Sequence, residues 1–187
     1  MGTPPIPALS GGGMLGWDLV TSVTFDGVTS LRRLTIFRAM NALPGSGLLT
    51  ITSTMTLSHA QWIVSQWEGV DVSGVNGAGA VAQTGSASGT AVSGLTVPLA
   101  AFGNANHVAY GAVGVAKNAV AVTPGAGFTE IGEQPSGEST PGDLEAEWAV
   151  NLPSITASWA SLAGGVLGIE IKARTLPYGA VSVSGKR

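Results

Sequence analysis

Cysteine is absent from this 187-residue chain, and that absence removes disulfides, thiolate metal sites and cysteine nucleophiles together. Charge is scarce as well: Asp, Glu, Lys and Arg make up 10% of the residues, against roughly 25% in an ordinary soluble domain. The net charge is −3 and the eight basic residues are scattered, so the concentrated basic surface that phosphate binding needs is missing. No nucleic-acid partner is expected. No apolar run approaches the roughly 18 residues of a membrane span. The opening MGTPPIPALSGGG has neither the basic flank nor the apolar stretch of a signal peptide, and Ile6 stands where a myristoylation signal carries Ser or Thr. Two histidines, His59 and His107, are too few for zinc without cysteine, and no G-x-S-x-G elbow offers them a serine. GAGA and SGGGM lack the Lys-Ser/Thr of a phosphate loop. Each histidine reads as a turn residue, and the chain reads as non-enzymatic, without a bound cofactor.

What is present argues for a folded chain. Apolar residues make up 44%, with five tryptophans, more than a disordered chain of low charge would carry. Glycine, at 28 residues, is about twice its usual share. Charge is also unevenly placed: from Ala39 to Ala116 the charged side chains are Glu68 and Asp71 alone. Such a stretch must be solvated by Ser, Thr, Asn and Gly, or covered by a partner.

Gly and Pro recur at strand-and-turn spacing, and helical periodicity is weak throughout. WDLVTSVTF (17–25) and LRRLTIFRAM (31–40) predict two strands joined at Asp26-Gly27. LLTITSTMTL (48–57) alternates cleanly: Leu49, Ile51, Met55 and Leu57 on one face, with Thr50, Thr52, Thr54 and Thr56 on the wet face. In QWIVSQWEGVDVSG (61–74), Trp62 and Val64 share one parity and Ile63 and Trp67 the other. A strand there is apolar on both faces, which calls for cover on both sides, a bulge, or contact with another subunit. Segment 74–94, all small residues, reads as a loop. Further strands are expected at 96–102, 107–116, 127–133, 144–150, 154–160 and 165–173, with a short one, AVSVS, in the tail. In the last full strand Glu170 and Lys172 are expected to face out. The pattern predicts an all-β, two-sheet antiparallel β-sandwich, jelly-roll-like, of about ten strands. Its parts would be an N-terminal arm (1–16), the sandwich (17–173) and a C-terminal tail (174–187).

The segments WEGVDVSG (67–74), TPGAGFTEIGE (123–133), LEAEW (144–148), TASWA (156–160) and GIEIKA (168–173) resemble a lectin-like β-sandwich domain found in bacteriophage virion proteins and bacterial secreted proteins. The resemblance spans about 17–173 and rests on turns and core positions. It implies a structural subunit of a virion or other extracellular assembly, of the capsid-decoration, fibre or sheath type, that packs against copies of itself and against another structural protein. Trp62, Ile63, Trp67, Thr50, Thr52 and Thr54 are the candidate contacts. The chain departs from the pattern before GWDLV, where the family adds one or two strands; a sheet edge left open there invites pairing. The alternative is a carbohydrate-binding module in which Trp67 or Tyr110 stacks on a cell-surface glycan.

Six of the eleven acidic residues crowd into 127–148: Glu130, Glu133, Glu138, Asp143, Glu145 and Glu147. Glu145 and Glu147 share a strand face about 6.5 Å apart, within the range of a glycosidase pair. Calcium held by Glu130, Glu133, Asp143 or their backbone carbonyls is a second reading, because Ca²⁺ takes several loop oxygens, but no D-x-D-x-D-G run supports it. The expectation is a solvated acidic loop, with Glu145 and Glu147 facing water.

Overall fold

The computed structural model describes residues 3–26, 31–43, 45–58, 60–116, 121–136 and 142–175. Gly27, His59, Glu138 and the tail strand expected at 180–184 lie outside them. Among the described residues ten strands form antiparallel sheets, and the helical content is one short 3-10 segment, Val75–Ala80. The all-β sandwich expected from the turn spacing is the fold.

Its centre is three antiparallel strands, two of them rich in valine, isoleucine and alanine and one acidic. β6 (Val108–Val115) and β9 (Asp143–Val150) pair along their length, and β10 (Ser154–Ile171) lies on the other side of β6. β5 (Val81–Pro98) closes one edge against β10, and β8 (Thr129–Pro135) closes the other against β9. β7 (Thr123–Pro124) adds to β10. Interior strands of this kind are covered on both faces.

β5 and β10 run 18 residues each and bend together. Their register slips between Ser158 and Leu162 and again between Leu162 and Gly164, and such bulges sharpen twist and bending. Past the slips, residues 94–98 paired with 154–158 fold back over the sheet. Ile155 then sits on the cross-strand pair Gly111 and Gly168, where an added Cβ would come within 2.7 Å of it. Glycine at those two positions lets the ribbon close. Beneath it lies a core of Val97, Ala109, Val113, Val115, Ile155, Trp159 and Val166.

The opposite face of the sheet is covered by a hairpin of β2 (Asp18–Phe25) and β3 (Arg32–Arg38). Phe25, Leu34 and Ile36 from the hairpin pack on Ala112, Leu167, Ile169 and Ile171. Each such large side chain contributes about 1.5–3 kcal/mol when buried. A node of polar groups anchors the hairpin: Arg38 pairs with Asp18 at 3.2 Å, and Asn76 donates to the same Asp18 Oδ2 at 3.1 Å. Asn76 Oδ1 also accepts from the Met40 N–H. The remaining sheet, β1 (Ala8–Gly11) with β4 (Leu49–Thr52), is small. Part of the expected irregular arm is therefore a strand.

Several other expectations change. Segment 74–94 is no loop but the 3-10 turn and most of β5. Its inward positions are small because Val97 presses on Gly85 and Val92 on Gly89, so the usual contrast between apolar and polar residues is absent. Strands 154–160 and 165–173 are one continuous strand. The threonine strand shortens to Leu49–Thr52, and Met55 and Leu57, expected inward, are exposed. Segment 61–74 forms no ladder beyond the bridge of Val70 with Ala173, yet from Gln61 to Glu68 its side chains alternate in and out.

Candidate functional site

Within the sheet, the acidic segment is the largest departure from expectation. Glu145 and Glu147 do share a face of β9, with Leu144 and Trp148 on the other. That face is covered rather than wet: both carboxylates are 0% exposed and Asp143 is buried with them. Their cross-strand neighbours on β6 are Val113, Gly111 and Val115, so the register places them in the core of the folded-back layer. Segment 121–128, arriving from β6 and leading into β8, lies across them. The Gly125 N–H donates to Glu147 Oε2 at 3.1 Å, and the Val122 N–H donates to Glu133 Oε1 at 2.9 Å.

Those two amides do not satisfy the cluster. Both oxygens of Glu145, Oε1 of Glu147 and Oδ1 of Asp143 are buried without a hydrogen-bond partner. Taking a carboxylate out of water favours its neutral form. Burial, then the charges of Glu147, Glu130 and Glu133, push Glu145 up to about 8. Burial raises Glu147 to about 7 against the opposing Gly125 hydrogen bond, and burial together with Glu133 raises Asp143 to about 6. A raised carboxyl beside a second one is what a glycosidase uses, but a sugar must lie between the two, and here both are wholly covered. Among the described residues no three acidic or histidine side chains are grouped to hold a metal ion. The signal that could have placed these residues inside was the apolar run of β6, which needs a covered neighbour.

A second buried polar set was also expected at the surface. His107 Nδ1 lies 2.5 Å from Glu170 Oε1, and Gln83 Nε2 donates to Glu170 Oε2 at 2.6 Å. Gln83 in turn holds the backbone of Ala100 through both its amide atoms. Glu170 is thus 3% exposed rather than facing out. Its neighbour Lys172 does reach outward, to Asp71 at 2.8 Å, and that ammonium with the Ser73 donors holds the Asp71 carboxyl well below the usual range.

The tryptophan segment divides as its parity requires. Ile63 and Trp67 turn in; Trp62 and Val64 turn out, 58% and 62% exposed. Trp67 packs edge-on against Tyr110 at 6.1 Å and Trp148 at 5.9 Å, and its indole N–H donates to Ser65 Oγ at 2.9 Å. Trp67 and Tyr110 are both half-buried and meet in a ring cluster with Trp148. Thr50, Thr52 and Thr54 are exposed, but only Thr50 and Thr52 belong to a strand. A shallow groove of about 490 Å³ opens where the folded-back ribbon meets segment 121–128, lined by Leu95, Thr96, Thr123, Gly125 and Thr156 among others.

Compared with protein-family models, with curated proteins and with solved structures, the chain matches none.

Proposed function

We propose that this protein is a non-enzymatic structural subunit of a virion or other extracellular assembly, working by packing against copies of itself and a second structural protein. One observation carries the reading: the stretch poorest in charge also exposes six large apolar side chains. Leu43, Leu48, Trp62, Val64, Val72 and Val75 are each more than half exposed, within a run whose charged side chains are Glu68 and Asp71. Scattered exposed leucines need no explanation, but six large apolar side chains exposed in a run with two charges make that run the candidate contact region. β5 adds to the case for assembly, because its 18 residues include no charge and it is the edge of the main sheet. Natural monomers protect such edges with charge, proline or bulges; here Pro98 and the register slips guard the far half, while residues 83–89 carry none of the three.

The deciding measurement is absolute mass by light scattering behind a sizing column. The expected result is a trimer, larger particle or filament of the 18.6 kDa chain. A monodisperse monomer at high concentration counts against self-assembly and calls for a glycan screen.

A further inference from the structure

Assembly makes no use of the carboxyls beneath segment 121–128, although they are the most costly groups in the molecule to bury. Each element facing them contributes identifiable groups. β8 brings Glu130 and Glu133, and β9 brings Asp143, Glu145 and Glu147. β6 brings Ala109, Gly111, Val113 and Val115, and the overlying ribbon brings Ile155, Ala157 and Trp159. Segment 121–128 carries no titratable side chain. Tyr110, on the other face of β6, is a further titratable neighbour, its phenol pushed up by burial and by the charge of Glu145. Among the described residues no cationic side chain pairs with any of the five carboxyls.

Acidic crowding alone would mean little, but Glu145 is fully buried and has no partner at either oxygen. A buried carboxylate in that state needs a cation or a proton. Among the described residues no three acidic or histidine side chains are grouped to hold a metal ion, and the groups seen to reach the cluster are the N–H donors of Val122 and Gly125. The proton is the ligand that remains.

We propose that segment 121–128 is a proton-held latch: with Glu145 and Glu147 protonated it lies closed on the sheet, and when they ionise it lifts. The physical sequence is short. Ionisation places negative charge in an apolar core beside Glu130, Glu133 and Asp143. Water must enter to solvate Glu145, which has no donor, and the cover lying over it is segment 121–128, held by two backbone amides, a two-residue strand and the buried side chain of Val122. Its movement opens the groove whose wall is formed by Thr123 to Ala126. The groove is thereby set by pH, independently of whether the chain assembles.

The test is amide hydrogen exchange of the intact protein at pH 5.5 and pH 8.5, corrected for the intrinsic rate. Protection of the Val122 and Gly125 amides is expected to fall at least tenfold at the higher pH, while β6 amides keep theirs. In the Glu145→Gln, Glu147→Gln double variant, protection is expected to be equal at both values. Equal protection in the wild-type chain, or an equal fall in the double variant, overturns the latch. Should the variant not fold, carboxyl-carbon NMR of the wild-type protein decides: titration of both glutamates near the ordinary 4.5 overturns it, and titration near neutrality supports it. Calcium that restores protection at pH 8.5 would also overturn it, by showing that the ligand is a metal.

Discussion

Two glutamates two residues apart, both pointing into a valine-rich layer, force the protein to choose between charge and cover. Their folded-state values of about 8 and about 7 lie above the ordinary 4.5, so the sign of the pH dependence follows directly. Below about 4.5 both folded and unfolded chains hold these protons, and the fold loses nothing. As pH rises the unfolded chain releases them first, and stability declines until the folded values have been passed. A tenfold difference in proton affinity between the two states corresponds to about 1.4 kcal/mol, so the loss between acid and mildly alkaline pH is on the order of several kcal/mol. Replacing both glutamates with glutamine removes the titration while leaving buried amides that still lack partners. The melting temperature of the variant should match the wild type near pH 4.5 and exceed it at pH 8.5 by roughly 3–10 °C, in a scan across that range. His107 and Glu170 behave differently because they satisfy each other. Glu170→Ala strips the partner from His107 and Gln83 alike, and should cost about 3–5 kcal/mol in urea unfolding.

Strands were most legible where their residues contrast. β2, β3, β6 and β9 could be placed from alternation or apolar runs, because Val, Ile, Phe and Trp differ sharply from Thr, Ser and Arg. β5 could not, since Gly85, Ala87 and Gly89 face inward and Thr84, Ser86 and Ser88 face outward, and these differ too little in size and polarity to mark a face. The small inward residues answer to Val97 and Val92, which arrive from later in the same strand only once the ribbon has folded back. The buried side of β9 was hidden for a related reason: Glu145 and Glu147 read as polar, and the cover over them comes from segment 121–128 and from β10. Closure of the ribbon can be tested at Gly111. Gly111→Ala would drive a methyl against Ile155 and Glu147, and overpacking of this order costs about 1–3 kcal/mol. Urea unfolding should show that loss together with weakened protection at Ile155, whereas alanine at Gly132, with nothing within 4 Å of its Cβ, should leave the ribbon closed.

Around an apolar core, the described residues depart from an ordinary soluble domain in two places. Carboxyls sit in the interior, while leucine, valine and tryptophan from Leu43 to Val75 face outward. An interface made from that surface would hold through apolar contact, with Glu68 and Asp71 as its charges. Its response to salt therefore separates it from ionic association, because screening at high ionic strength weakens charge pairs and leaves apolar burial intact or strengthened. The particle seen by light scattering should keep its mass when sodium chloride is raised to about 1 M, where the Debye length is near 3 Å. It should lose mass when Leu48, Trp62 and Val64 are changed together to serine. Those side chains are largely exposed in the single chain, so the triple variant should remain folded as a monomer, within about 1 kcal/mol of the wild-type stability. A variant that unfolds would place these residues in the fold instead. A folded variant of unchanged mass would move the contact elsewhere, first to the uncharged edge of β5, where Ser86→Pro would be the next substitution to make.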